Sequence, residues 1–350
     1  VTRLGDHLDF CAGSAPPERR LTGRFPVYGS NGPIGYAAQR NSRGPLIVLG
    51  RVGSYCGSMH YCEADVWVTD NALACRAKNP EETRYWYYAL QTCALNEHRT
   101  GSGQSLLNQR ILRDISVRAV PTRERRQIAE LLGSLDDKIA ANRRVITAAE
   151  ALMVATAASV SDHVPLSTLA ARSTAVVNPG DFDRTVAHFS FAAFDHGANP
   201  ALGDGEAVKS GKFLLTAPCV LFAKLNPNTP RVWNVVSLPP EMALASTEFV
   251  VLRPIAVDTS ALWAAVAQPS VSQSLQQKVA GTSGSRQRVR PRDLLEVRVR
   301  DVRRLPGAAS RSLTDLGRLC QARRAESIRL AAFRDAMLPL LMSGELPTLH

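Results

Sequence analysis

Several things are scarce or missing from this chain, and each absence narrows what it does. No apolar run reaches the roughly 18 residues that a membrane-spanning helix needs. The opening stretch VTRLGDHLDF lacks the basic-then-apolar layout of a secretory leader. A cytoplasmic protein with no membrane partner is therefore expected. Cysteine is sparse: the seven cysteines are odd in number and none forms a CxxC pair, so free thiols are the simplest reading. Cys56, His60, Cys62 and Cys75 miss the usual spacings of zinc ligands, and no metal site is expected.

Catalytic signatures are missing as well. Neither GxGxxG nor GxxxxGK[ST] occurs. Asn178-Pro179-Gly180-Asp181 and Asn226-Pro227-Asn228-Thr229 approach an amino-methyltransferase motif, but both lack its second proline and its aromatic residue. No PD…ExK-like nuclease cluster stands out, and Asp195-His196 has no nucleophile motif beside it. The expectation is a chain with no catalytic residues and no cofactor of its own.

Lysine is scarce too, at six of the 42 basic residues, although the net charge is +11 and the pI about 9.7. Such a balance favours a polyanionic partner, and arginine suits bidentate contact with phosphate and guanine. A GC-rich genome would raise arginine over lysine equally well.

What the sequence does contain is an internal repeat. RTGSGQSLLNQRILRDISVR (99–118) and GTSGSRQRVRPRDLLEVRVR (281–300) align without gaps at a shift of 182, which sets Val117 on Val299, Arg110 on Arg292 and Ile115 on Val297. Each copy reads as a polar loop, a short amphipathic turn and a β-rich segment. Upstream, IVLGRVGS from Ile47 resembles VLFAKLNP from Val220, an apolar strand running into one basic residue, Arg51 or Lys224. A helix precedes each polar loop, from Glu81 and from Ser260. The aromatics Tyr85, Trp86, Tyr87 and Tyr88 in the first read as helix core rather than a base-stacking platform.

A long helical segment follows each copy. Ile128, Leu132, Leu135, Ile139, Asn142, Ile146, Ala149, Met153 and Thr156 step by alternating four and three residues, the seam of a coiled coil. The series Leu316, Leu319, Arg323, Glu326, Leu330, Phe333, Met337 and Leu340 matches it at a shift of 184, with Leu132-Gly133 on Leu316-Gly317. Helices of about 35 residues, roughly 50 Å long, with one apolar stripe need a partner, and the other copy is the nearest. In an antiparallel pair the polar layers Asn142, Arg323 and Glu326 would meet and fix register. A shorter seam with Arg323 and Glu326 in solvent is the alternative.

FPVYGSNGPIGY from Phe25, IVLGRVGSYCG from Ile47, WVTDNAL from Trp67, TGSGQSLLNQRILRDISV from Thr100 and PTRERRQIAELLGSLDDKI from Pro121 together resemble the specificity subunits of type I restriction–modification systems. The resemblance covers essentially the whole chain. The second half departs more, with no obvious counterpart of YGSNGPIGY. The resemblance implies an α+β chain: two α/β target-recognition domains joined by two long antiparallel coiled-coil helices, with pseudo-two-fold internal repetition. Its parts would be a first target-recognition domain at 1–120, a spacer helix at 121–160, a second domain at 161–305 and a second spacer helix at 306–350. Each domain would read one half of an asymmetric split site in double-stranded DNA. The helices would set the gap and dock two modification subunits, which would bind S-adenosylmethionine, and a restriction (nuclease/translocase) subunit could join.

On that reading the candidate DNA contacts lie in the repeated loops, Thr100, Ser102 and Gln104 in one and Thr282, Ser283, Ser285 and Arg286 in the other, where backbone N–H groups can approach phosphate. Arg286, Arg288, Arg290 and Arg292 alternate and would line one face if extended; Arg110 matches Arg292. Tyr28, Ser30 and Asn31 sit in a glycine-rich loop, where Asn could read adenine and Tyr stack on an extruded base. Arg51, Lys224 and the adjacent Asn226 complete the set. Plain turn or solvent-facing roles compete at each of these positions. Two other functions stay open: a protein-binding coiled-coil scaffold, and a diverged DNA methyltransferase or nuclease.

Overall fold

An uninterrupted apolar run of five or so residues reads as a strand buried on both faces, and Leu46–Gly50 and Cys219–Ala223 are such strands, every residue buried. The computed structural model describes residues 1–98, 106–226, 229–279 and 288–346. The chain divides into two compact units, Val1–Asp137 with Leu330–His350, and Lys138–Arg329.

The elements of the first half are β1 (Thr2–Arg3), α1 (Leu4–His7), β2 (Leu8–Ala12), β3 (Phe25–Gly29), β4 (Gly32–Ala37), β5 (Leu46–Gly50), β6 (Met59–Cys62), β7 (Trp67–Val68), β8 (Ala72–Ala77), α2 (Thr83–Gln91), α3 (Gln109–Asp114), β9 (Ser116–Val117) and α4 (Thr122–Ala158). An antiparallel sheet runs in the order β2-β8-β5-β6, beside a smaller sheet β4-β3-β7. Alternation along β5 feeds two cores. Ile47 and Leu49 join Leu4, Phe10, Trp86, Ile128 and Leu132, while Leu46 and Val48 join Val66, Val68 and Ala74.

The second half contains β10 (His163–Pro165), β11 (Ala170–Ser173), β12 (Val176–Val177), β13 (Thr185–Phe189), α5 (Phe191–Asp195), β14 (Ala201–Asp204), β15 (Lys212–Leu214), β16 (Cys219–Ala223), β17 (Val232–Val235), β18 (Met242–Ala245), β19 (Phe249–Pro254), α6 (Thr259–Val266), α7 (Pro269–Val279), α8 (Pro291–Leu295), β20 (Arg298–Arg300) and α9 (Gly307–Ser343). Its main sheet runs β11-β19-β16-β17, beside a sheet β12-β15-β18-β13-β14. β16 likewise faces two cores, Val220 and Phe222 in one, Leu221 and Ala223 in the other.

The two main sheets share one strand order, so the internal repeat is architectural. Val117 pairs with Thr2 and Val299 with Val164, zipping the start of each half to its end. The Leu4 amide donates to the Ile115 carbonyl and the Leu166 amide to that of Val297, at 2.9 Å in both. Those acceptors are the residues that the 182-residue shift aligns. A counterpart of the YGSNGPIGY hairpin does exist. β3 pairs antiparallel with β4 and parallel with β7, and β13 pairs in the same way with β14 and β18. It escapes the sequence because Ser190–Pro200, with α5 inside it, replaces a two-residue turn.

α4 and α9 are each 37 residues long. Along α4, Ile128, Leu132, Ile139, Asn142, Ala149 and Met153 are buried, and Leu135 and Ile146 half-buried. α9 differs from the expected series. Leu316, Leu319, Arg323, Glu326, Leu330 and Met337 are only half-buried, and Phe333 and Leu340 are exposed. Its buried line runs one position on, through Leu313, Gly317, Cys320, Leu338 and Leu341. The cause is a second neighbour: Leu313 belongs to the core of the globular half, and a Cβ on Gly317 would lie 2.1 Å from Ser260 Oγ of α6. Within Lys138–Arg329 the helices run antiparallel. Asn142 Nδ2 donates to Glu326 Oε2 at 3.0 Å and to Ser327 Oγ at 3.3 Å, and Arg324 pairs with Glu150. Arg323 and Lys138 also reach Glu326, which holds its carboxyl below the usual range through the Arg323 and Asn142 hydrogen bonds.

Candidate nucleic-acid interface

The C-terminal ends of β5 and β16 carry the same construction. Past β5, the Arg51 amide donates to the Asn71 carbonyl at 3.0 Å, and its own carbonyl accepts from Leu107 N at 3.0 Å. Past β16, the Lys224 amide donates to Glu248 O at 2.9 Å, and its carbonyl accepts from Val289 N at 2.8 Å. The next residues form matching isolated bridges, Val52 with Leu106 and Leu225 with Arg288. One basic side chain is thus set at the same post in each half.

The two side chains differ in what they meet. Arg51 is half-buried, and its Nε is buried with no hydrogen-bond partner among the described residues. Lys224 donates to the Thr247 carbonyl and lies 5.8 Å from the centre of the Phe213 ring; burial holds its ammonium below the usual lysine range.

Beside Arg51 stands the β3–β4 hairpin. Gly29 pairs with Gly32, leaving Ser30 and Asn31 as a two-residue turn. Ser30 Oγ donates to Val52 O at 2.7 Å, and Ser58 Oγ donates to Ser30 O. A Cβ on Gly50 would lie 2.3 Å from Ser30 O, so glycine is needed for that approach. Beneath the turn, the Tyr28 and His60 rings are 5.7 Å apart, and a Cβ on Gly32 would meet His60 Cε1 at 3.0 Å. Tyr28 is half-buried against Cys62. Burial raises its phenol pKa and, with the Cys62 thiol beside it, keeps it neutral, while burial lowers His60. Asn31 is exposed.

The remaining candidates are scattered. Arg110 is exposed in the first turn of α3, whose N-cap is Asn108. Asn226 is exposed in left-handed backbone, φ 55°. The arginine run does not form one extended strip. Arg288 bridges Leu225 and pairs with Glu248 at 2.8 Å, Arg290 caps α8, and Arg292 lies inside that helix, paired with Glu296 at 3.0 Å. Pro291 is the cause: it starts a helix where alternation suggested a strand. Thr100, Ser102, Gln104, Thr282, Ser283, Ser285 and Arg286 lie outside the described residues.

Tyr85, Trp86 and Tyr88 are buried, as a helix core requires. Cys75 and Cys62 face opposite cores, and among the described residues no three His, Cys, Asp or Glu side chains gather to hold a metal. No described helix is long and apolar enough to cross a membrane. The sequence reasoning passed over Ile34, 42% exposed beside the hairpin turn. Its signal was present in Gly-Pro-Ile-Gly, an apolar residue between turn formers.

Comparison with known proteins agrees with this arrangement. Residues 1–151 match the family profile described as Type I restriction modification DNA specificity domain. A 113-residue stretch, 32% of this chain, is 26% identical to the type I restriction enzyme EcoprrI specificity subunit of Escherichia coli and spans 28% of that protein. The fold is similar to the crystal structure of a type I restriction–modification system S subunit from M. genitalium, with a TM-score of 0.62 over 97% of this chain and 95% of that one, at 13% identity.

Proposed function

We propose, from the match of residues 1–151 to the profile described as Type I restriction modification DNA specificity domain, that the chain is the DNA-reading subunit of a restriction–modification enzyme. Residues 1–120 and 161–305 act as target-recognition domains, each reading half of an asymmetric two-part site. Residues 121–160 and 306–350 act as spacers that set the gap and dock two modification subunits. Those subunits bind S-adenosylmethionine and methylate adenine, and a nuclease–translocase subunit joins where the system also restricts. This chain contributes address and no chemistry.

The observation that carries the reading is the repetition of one architecture with a basic residue at the same post, Arg51 in one copy and Lys224 in the other. One major-groove reader covers only a few base pairs, so a longer site calls for two readers on a common frame. The net charge of +11 supplies the long-range attraction.

The test is duplex binding by the purified full-length chain as salt rises. Binding whose log K falls linearly with log salt, with no S-adenosylmethionine uptake in calorimetry, is expected. No binding at low salt would favour a protein-only scaffold. Methylation or cutting by the chain alone would favour an enzyme.

A further inference from the structure

Within the candidate interface, the tip of the β3–β4 hairpin is fastened from several sides. Its two-residue turn is fastened from below by Ser30 Oγ on Val52 O and by Ser58 Oγ on Ser30 O. Gly50 and Gly32 stand where side chains would collide with Ser30 O and with His60. The hydroxyl and the carbonyl of Ser30 are thereby engaged in holding the turn. Asn31 is the opposite case: it is exposed, and among the described residues no hydrogen bond or ion pair holds its side chain.

The strand that leaves the turn is irregular for a reason that concerns its neighbour. Tyr28 pairs with Pro33 and Val27 with Gly35, so Ile34 is an extra residue with no opposite number. Bulges of this kind re-aim a side chain. Ile34 is 42% exposed although large and apolar, and it lies across the turn's base, since a Cβ on Gly29 would meet its Cγ2 at 3.4 Å. A rigid tip therefore presents one free carboxamide and one apolar group within a few residues.

We propose that this tip reads an adenine·thymine base pair in the major groove, Asn31 through the adenine N6 and N7 edge and Ile34 through the thymine 5-methyl group. An amide can donate and accept at once, which suits adenine and no other base edge there, and the methyl is the one apolar feature of the groove. Ser30, Ser58 and His60 are positioning residues. The second half has an eleven-residue connection, Ser190–Pro200, in place of this turn, so the effect is confined to one half-site. The proposal rests on the DNA-reading function and adds the identity of one base pair to it.

The test is a methylome map of a strain lacking the gene and complemented with the wild-type chain, with Asn31→Ala or with Ile34→Ala. Wild type restores a two-part motif. Asn31→Ala loses discrimination at one adenine·thymine position by about 5- to 150-fold, with the other half-site and the gap unchanged. As a check independent of variant folding, the wild-type chain is bound to duplexes with deoxyuridine replacing thymidine at that position. Loss of the methyl weakens binding about fourfold. An Asn31→Ala motif identical to wild type, or equal binding of the two duplexes, overturns the proposal alone. A wild-type chain that restores no motif overturns the DNA-reading function with it.

Discussion

Single residues decide how closely these elements approach. Gly133 and Gly317 align at the 184-residue shift, and each stands where α4 or α9 meets the helix of its own globular half. A Cβ on Gly133 would lie 2.7 Å from Arg84 Nε, and one on Gly317 2.1 Å from Ser260 Oγ. The repeated Leu-Gly is visible in the sequence, but its meaning is not: without the packed neighbour it reads only as a weak spot in a helix. Gly317→Val is expected to cost about 1–3 kcal/mol through overpacking, read as a lower urea midpoint. Two half-buried histidines give a second expectation. His60 and His188 each have Nε2 buried with no partner among the described residues, and burial holds both below the ordinary value of 6.5. The unfolded chain therefore takes up protons that the folded chain refuses. Stability is complete above 6.5 and falls as pH drops through the folded-state values. Comparing urea midpoints at about pH 7.5 and about pH 5.5 stays above the range where the carboxylates titrate. His60→Gln with His188→Gln should shrink the acid loss; an unchanged loss would assign it elsewhere.

At the level of elements, what could be read from sequence was what repeats with a fixed period. The buried strands β5 and β16, the turn-then-strand pairs α3–β9 and α8–β20, and the seam of α4 all follow from apolar spacing. What could not be read depended on a partner from elsewhere in the chain. The β13–β14 hairpin hid behind an inserted helix, and the arginine run broke at Pro291. The apolar series of α9 predicts a seam against α4 alone, yet α9 packs on α6 as well, so its buried line lies one residue on. Leu313→Ala, at a position 0% exposed, should cost about 2–5 kcal/mol in urea unfolding. Phe333→Ala, at 54% exposure, should cost less than about 0.5 kcal/mol. The reverse order would restore the series that the sequence suggested. Most of the candidate contacts lie in or beside loops, and loops record little of their geometry in composition. Ile34 was missed because a bulge shows only once the facing strand is known.

For the whole molecule, the repetition of one architecture is the feature that function must explain. Two long helices following two copies of one sheet order suit a reader of split sites whose gap is a property of helix length. Inserting seven residues after Asn142, with a matching heptad in α9 opposite, should lengthen the gap and leave both half-sites as they were; a changed half-site with an unchanged gap would contradict the spacer role. The central claim is that this chain gives a methyltransferase its address. Single-molecule sequencing of the host genome, with and without the gene, tests it most directly. The account predicts that N6-methyladenine disappears from one asymmetric two-part motif and from nowhere else. An unchanged methylome in a strain shown to express the chain would contradict it.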